Sequence, residues 1–405
     1  MANDILVGRQ PIYRRNMDVY AYELLFRGRS ETEAGVTDGD RATSEVLYNT
    51  FVEIGVDEIV GRHRAFVNLT PSFLLGEYPL PTTEGQLVLE LLEDTPVTDE
   101  IVNAVANLRA RGYTIALDDF VYQPHLEPLV RQADIIKIDL MQLGDGELEK
   151  HVERLSGNGT RLLAEKVETH QEFHHCRELG FDLFQGFFFC RPEVVRGNHL
   201  PTNRVAIAEL LSALQDPDVE LSTLERLISR DVTLSYRLLR LINSAYFNLR
   251  REVDSVGRAL MLLGLDAVRN WATLLTLSSV EDKPTELVRT AVIRARLCQN
   301  LGATVDPNTS SDLYFTVGLF STLDALLDQP LEAVLEQLPL SQPVARALLE
   351  RGGIPGAVLD CVLAYEQGDW AAVENNTCGI APGSVRDAYL EAVQWADDLM
   401  REIVA

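Results

Sequence analysis

Eight short apolar runs alternate with amphipathic stretches up to about residue 190. That pattern breaks near residues 193–204, and helical periodicity runs on from there to about residue 400. These three observations predict an α/β domain followed by an all-α domain. Repeated strand–helix alternation implies a parallel sheet, and about eight strands in fewer than 200 residues fit a compact β/α barrel better than a doubly wound sheet. No GxGxxG follows the first strand, which also disfavours the doubly wound alternative. The expected organisation is a barrel over 1–192, a linker over 193–204 and a helical domain over 205–400.

The predicted strands are Ile5–Val7, Val19–Phe26, Ala65–Leu69, Leu87–Leu91, Thr114–Leu117, Ile135–Ile138, Arg161–Ala164 and Leu183–Phe189. Phe187, Phe188 and Phe189 read as part of the buried last strand. Between the strands lie amphipathic stretches such as Thr43–Ile59, Glu100–Arg111 (stopped by Gly112) and Gln171–Leu179. The segment PEVVRGNHLPTNR, with two prolines, a glycine and two asparagines, reads as the linker. Helices follow at Val205–Leu214, Leu221–Ile228, Leu234–Asn243, Val256–Leu263, Ala267–Leu277 and Glu286–Leu301, with more towards the C-terminus, and no β-branched run at strand spacing interrupts them.

Charge narrows the partners. The 405 residues carry 36 Lys+Arg against 61 Asp+Glu, a net charge of -25. Such a surface repels polyanions, which excludes non-specific nucleic-acid binding, although a few Arg or bound cations can reverse the sign inside a pocket. Residues 226–296 hold 12 Lys/Arg and 7 Asp/Glu, whereas 301–405 hold 4 and 16. This asymmetry is read as a solvated helix face, or as a basic surface that docks on an acidic one. No apolar run approaches the ~18 residues that a membrane span needs, and the start MANDILVGRQ has no signal-peptide pattern, so a cytoplasmic protein without a membrane partner is expected. The 5 Cys form no CxxC pair, so they read as reduced thiols in the core. Adjacent His174 and His175 point in different directions on a helix and read as surface residues. There is no GxxxxGK[ST] loop and no GxSxG elbow, which disfavours an NTPase or a serine hydrolase.

Polar residues repeatedly close the apolar runs of the first half. Glu23 follows Val19–Tyr22, Asn68 ends Ala65–Val67, Glu90 follows Leu87–Leu89, and Asp118 and Asp119 follow Thr114–Leu117. Lys137 and Asp139 flank Ile138, Glu165 and Glu168 follow Leu162–Ala164, and Gln185 precedes Gly186. In a β/α barrel the C-terminal strand ends converge on one face. So many carboxylates there, unneutralised, would repel one another and raise one another's pKa values. A hard cation relieves this, and an all-oxygen set without Cys or His suits Mg²⁺ or Mn²⁺ rather than zinc. Two such ions side by side can activate a water and stabilise the leaving oxygen of a phosphodiester. Lys137, one of only four Lys in the chain, could neutralise charge developing on the phosphate, and a carboxylate not used as a ligand could take the proton from water. The residues alone leave open a two-metal phosphodiesterase and other metal-assisted barrel chemistry.

The ordered string Gln10-Pro11-Ile12, Tyr22-Glu23-Leu24-Leu25-Phe26-Arg27, Asn68, Leu89-Glu90-Leu91, Ala116-Leu117-Asp118-Asp119-Phe120, Lys137-Ile138-Asp139, Ala164-Glu165-Lys166-Val167-Glu168-Thr169 and Gln185-Gly186 resembles the motif set of EAL domains. Those are TIM-barrel phosphodiesterases and receptors for the bacterial messenger cyclic di-GMP. The resemblance implies that Glu23, Asn68, Glu90 and Asp118 ligate one metal and that Asp119 serves a second. It implies Glu165 as general base, Lys137 as the phosphate-side cation, Glu168 and Gln185 as pocket residues, and Gln10 and Arg27 as contacts to the dinucleotide. Three departures stand out. Leu24 replaces the usual Ala of the signature. Residues 121–126 (VYQPHL) replace a glycine-rich loop that couples dimerisation to metal binding. Glu93, which would brace that loop, is kept. Lys166 replaces a usual Gly and is expected to lower the pKa of Glu165.

In the second half, Ile228-Ser229-Arg230-Asp231, Leu238–Phe247 and Ala259–Gly264 resemble the motifs of HDOD domains, helical relatives of the HD-type metal phosphohydrolases. HD-type chemistry needs several His with Asp, yet all 7 His of this chain precede residue 200. Gly318-Leu319-Phe320-Ser321-Thr322 stands where relatives carry a His-Asp dyad. The helical half is therefore expected to be catalytically dead, an interaction or output module for a protein partner. The combination resembles the YuxH-type family of bacterial signalling proteins. The leading reading is a receptor whose barrel binds cyclic di-GMP with a divalent metal; the alternatives are a Mg²⁺/Mn²⁺-dependent phosphodiesterase giving pGpG and a scaffold that no longer binds nucleotide. The retained acidic set argues against the scaffold; the changed loop and Lys166 weigh against the enzyme.

Overall fold

The structure is a computed structural model that describes residues 6–27, 55–76, 80, 85–143, 146–155, 159–192, 202–216, 219–243, 247, 253–280 and 283–404. The chain forms two compact units, the first of Met1–Phe189 with Glu366–Trp370 and the second of Cys190–Tyr365 with Ala371–Ala405.

The first unit is a closed eight-stranded barrel in sequential order. Its strands are β1 (Leu6–Arg14), β2 (Val19–Arg27), β3 (Arg64–Leu69), β4 (Leu87–Leu91), β5 (Thr114–Leu117), β6 (Ile135–Asp139), β7 (Arg161–Glu165) and β8 (Leu183–Gln185). Helices α1 (Val56–Val60), α2 (Pro71–Leu74), α3 (Asp99–Ala110), α4 (Glu127–Val130), α5 (Glu147–Leu155) and α6 (His170–Leu179) lie between them in sequence. Seven of the strands run as a parallel set, but β1 is antiparallel to both β2 and β8. The uniformly parallel sheet expected from the alternation is corrected here. Only a tight turn with Met17 at φ 66° separates β1 from β2, far too short for a crossover helix. The last strand also ends earlier than expected. Gly186 turns the chain at φ 148°, and Phe188–Cys190 is a single 3₁₀ turn.

Local signals set the helix ends. Thr98 caps α3 by accepting the Ile101 N–H at 3.3 Å. Thr169 and Glu172 form a reciprocal capping box at the start of α6, which stops at Gly180 with φ 111°. The expected helix over Thr43–Ile59 falls largely outside the described residues, which contain only α1 of it.

Inside the barrel, Ile12, Tyr20, Ala21, Phe66, Val88, Ala116, Ile135, Leu163 and Leu183 form one buried cluster with at least one residue from every strand. Side chains alternate between faces with period two, so the residue two positions further along each strand points the same way. This apolar layer is the floor of the site.

The second unit has thirteen helices among the described residues and no strand. They are α7 (Thr202–Gln215), α8 (Leu221–Arg230), α9 (Val232–Ile242), α10 (Val256–Leu263), α11 (Leu265–Leu277), α12 (Thr285–Val305), α13 (Ser311–Phe320), α14 (Leu323–Leu327), α15 (Leu331–Leu335), α16 (Gln342–Glu350), α17 (Gly353–Glu366), α18 (Trp370–Glu374) and α19 (Pro382–Val404). Asp231 caps α9 through the Leu234 N–H at 2.9 Å, and Ser255 caps α10 through Arg258. Trp271, Phe315 and Trp395 meet with ring centroids 5.7–6.3 Å apart. Helices α12 and α13 pack closely because Gly302 faces the Tyr314 ring and Gly318 faces the Arg294–Ala295 backbone. Of the proposed linker, 193–201 lie outside the described residues, and α7 already begins at Thr202. Among the described residues no helix is long and apolar enough to cross a membrane.

Candidate active site

One step above the apolar floor, each strand contributes one polar residue. Glu23 is two positions past Ala21, Asn68 two past Phe66, Glu90 two past Val88, Asp118 two past Ala116, Lys137 two past Ile135, Glu165 two past Leu163 and Gln185 two past Leu183. On the reversed strand β1 the matching residue, Gln10, is two positions before Ile12 and pairs in register with Glu23. The pleat therefore turns eight distant sequence positions into one ring.

The ring is centred on Lys137, which is 1% exposed. Its Nζ lies 2.7 Å from Glu90 Oε1, 2.7 Å from Asp118 Oδ1, 2.9 Å from Glu165 Oε1 and 3.2 Å from Glu23 Oε2. Gln185 closes the circuit by donating from Nε2 to Glu23 Oε2 at 2.6 Å and to Gln10 Oε1 at 2.8 Å. Four carboxylates thus surround one ammonium in a dry site. Burial raises the pKa of Glu90 well above its usual range, with Glu23 adding to the rise. Burial, with Asp118 and Glu23 adding, pushes Glu165 up to about 8 although Lys137 pulls it down. The carboxylates in turn raise Lys137 well above the ordinary lysine value, outweighing its own desolvation.

The downward pull of Lys166 on the Glu165 pKa is present but outweighed. The Lys166 ammonium turns to Asp139 rather than to Glu165, its side chain is 53% exposed, and burial dominates at Glu165.

The ring leaves oxygens of the kind that a divalent cation takes. Among the described residues, Asn68 Oδ1, Glu90 Oε2, Glu165 Oε2 and Gln185 Oε1 are buried without a hydrogen-bond partner. All are oxygens, as Mg²⁺, Mn²⁺ or Ca²⁺ requires, and burying them unsatisfied costs free energy that a cation would offset. No three His, Cys, Asp or Glu among the described residues are grouped as they would be around a metal ion. The point that the carboxylates share is held by the Lys137 ammonium.

Not every expected residue joins the ring. Asp119 lies beside it, half-buried with φ 43°, and Asp118, Lys166, Asp139 and Glu93 are its charged neighbours. Glu168 is exposed beyond the end of β7. Arg27 ends β2 in register with Leu6, and its side chain is outside the described set. Asp139 is the residue whose role the sequence left unassigned. It is 3% exposed, donates nothing, and accepts the Met141 N–H at 2.8 Å while pairing with Lys166. Its position two residues past Lys137 on a strand buried throughout was the available signal.

The loop that departs from the expected glycine-rich sequence is braced by its own contacts. The Tyr122 N–H donates to His151 Nε2 at 3.3 Å, its hydroxyl donates to Glu127 at 3.2 Å, and the Arg154 guanidinium lies 3.7 Å from its ring centroid. In the helical unit, the position expected to hold a His-Asp dyad has a hydroxyl facing a cation. Ser321 Oγ donates to the Gly318 carbonyl at 2.7 Å and lies 3.3 Å from Nη1 of the buried Arg294.

An EAL-domain family model matches residues 51–192, and an HDOD-domain model matches residues 200–330. Over 98% of its length the chain is 37% identical to the cyclic di-GMP phosphodiesterase CdgJ of Vibrio cholerae, covering 93% of that protein. The chain belongs to the EAL–HDOD family. It is also 34% identical, again over 98% of its length, to the uncharacterised YuxH of Bacillus subtilis, of which it covers 99%. Among solved structures, Klebsiella pneumoniae BlrP1 in a manganese/cyclic di-GMP complex is similar at 24% identity and a TM-score of 0.38, over 46% of this chain and 55% of that one. A standalone EAL protein of Vibrio cholerae in its cyclic di-GMP-bound form is similar at 20% identity and a TM-score of 0.36, over 47% and 92%. The EAL match begins after β1 and β2, yet the barrel of this EAL–HDOD protein is closed by those strands, and they carry Gln10 and Glu23.

Proposed function

We propose that this EAL–HDOD chain is a divalent-metal-dependent cyclic di-GMP phosphodiesterase whose barrel binds the dinucleotide above the ring and opens it to linear pGpG. The observation that carries the reading is the convergence of Glu23, Glu90, Asp118 and Glu165, from four strands, on the single buried Lys137. The name of CdgJ, a relative over nearly the whole chain, supports the substrate. In this reading Glu23, Asn68, Glu90 and Asp118 hold a Mg²⁺ or Mn²⁺ ion. When bound, the ion polarises a phosphate oxygen and lowers the pKa of a water. Glu165 takes the proton of the attacking water, a task for which burial has raised its proton affinity. Lys137 positions the Glu165 carboxylate at 2.9 Å and brings positive charge to the phosphate. Gln10 and Gln185 in the ring, with Arg27 and Glu168 beyond it, contact the dinucleotide.

The domain assignment that goes with this reading is a barrel over 1–192 and a helical domain that begins with α7 at Thr202 rather than at 205, with the linker before it. The helical domain, with Ser321 and Thr322 at the dyad position and no His among its residues, serves as the interaction module for a protein partner.

A second reading, a receptor that binds without turnover, is favoured by one observation. Residues 121–126 contain no glycine, and Tyr122 anchors them to His151, Glu127 and Arg154. One experiment separates the two. The purified chain is incubated with cyclic di-GMP and Mn²⁺, and both binding and pGpG release are followed. The enzyme predicts release that falls about 10²–10⁴-fold in Glu165→Gln while binding persists. Tight binding without product leaves the receptor, and absence of binding sinks both.

A further inference from the structure

Immediately above the ring lies a second charged group. It consists of Asp119 two residues past β5, Asp139 at the end of β6 and Lys166 one residue past β7. Asp139 is as dry as the ring carboxylates, 3% exposed, and its Oδ2 is paired with the Lys166 ammonium while Oδ1 takes the Met141 N–H. Asp119 feels the Asp139 and Asp118 carboxylates and the Lys166 cation together. Two of the three residues are held in the left-handed region that favours glycine, Asp119 at φ 43° and Lys166 at φ 55°. A lysine kept in that conformation, one of four in the chain, puts its cation next to a buried aspartate.

We propose that the Lys166 ammonium is a built-in cation that takes the place of a second divalent ion beside Asp119 and Asp139, so that the barrel holds one metal ion, in the ring, rather than two. This rests on the proposed reading that the ring holds a divalent ion. A tethered ammonium neutralises one carboxylate and also excludes a competing ion from that point by like-charge repulsion. It is fixed at any metal concentration, whereas a second ion would have to be recruited from solution.

The test is the Mn²⁺ stoichiometry of the full chain, measured with Mn²⁺ alone by electron paramagnetic resonance of the free ion. Wild type, Lys166→Arg, Lys166→Met and Lys166→Gly are compared. Wild type and Lys166→Arg are expected to bind one Mn²⁺, whereas Lys166→Met and Lys166→Gly bind two. Adding Asp139→Asn to either of the last two returns the count to one. Met keeps the left-handed backbone occupied by a side chain and Gly relaxes it, so a shared gain isolates the charge from the backbone. Two ions in wild type, or one in both neutral variants, would overturn the inference and leave the ring reading standing. No Mn²⁺ in any of the four proteins would remove the ring reading and this inference with it.

Discussion

Lys137 carries the heaviest electrostatic load of any residue in the barrel. It is itself buried and faces four carboxylates at 2.7–3.2 Å. Removing one partner of a buried ion pair strands the other. Lys137→Met is therefore expected to destabilise the metal-free protein by about 3–5 kcal/mol in urea titration, and to recover part of this when Mn²⁺ is added. A neutral loss with no response to Mn²⁺ would contradict the ring. The carboxylates make a second prediction. Glu165 ionises near 8 in the folded protein against 4.5 ordinarily, and Glu90 shifts in the same direction. Between those limits the folded state holds protons that the unfolded state has released, so the contribution of these groups to stability is greatest below the lower limit and declines as pH rises towards the upper. The melting temperature of metal-free protein should fall from about pH 5.5 to about pH 8, and excess Mn²⁺ should flatten the fall. A rising or flat profile without metal would contradict the burial of these groups.

At the scale of elements, the site depends on where strands stop and how closely segments approach. Gly186 ends β8 at φ 148°, and a Cβ there would fall on the Val167 backbone. Because the Val167 N–H donates to the Gln185 carbonyl at 3.0 Å, that approach fixes Gln185 in the ring. In the helical unit, a Cβ at Gly318 would fall on the Arg294 carbonyl and the Ala295 Cα. Gly318→Ala is accordingly expected to force α12 and α13 apart, at a cost of about 1–3 kcal/mol read as a lower midpoint in denaturant. An unchanged midpoint would mean that the two helices do not meet at this glycine. Element placement was largely legible because periodicity carries it. Every expected strand is present, and Val256–Leu263 was placed to the residue. What escaped was direction and length. The reversal of β1 depends on the short turn after Arg14, and β8 stops before Phe188, which apolar composition alone does not show.

For the whole molecule, composition and histidine placement divide the labour. The net charge of -25 leaves no general attraction for nucleic acid, so any phosphodiester ligand must be drawn to a local cation. Residues beyond 200 contain no histidine, and Ser321, at the position expected for a dyad, accepts from Arg294 of the neighbouring helix α12. In the proposed reading the divalent cation is held by the ring of the barrel, through Glu90 and Asp118 among others. The Glu90→Gln, Asp118→Asn double variant is expected to abolish Mn²⁺ binding while retaining a cooperative thermal transition. Mn²⁺ retained by that variant would locate a site elsewhere.

The linear order of residues already specified the strand count, the helical second half and the acidic residues at strand ends, because pleat, helix and turn are local and leave a periodic record. Closure of the barrel settled the rest: which of those acids share a single lysine, that burial outweighs Lys166 at Glu165, and that Asp139 belongs beside Lys166. Those facts depend on dielectric and on distances across the barrel, and neither is written in the spacing of residues along one strand.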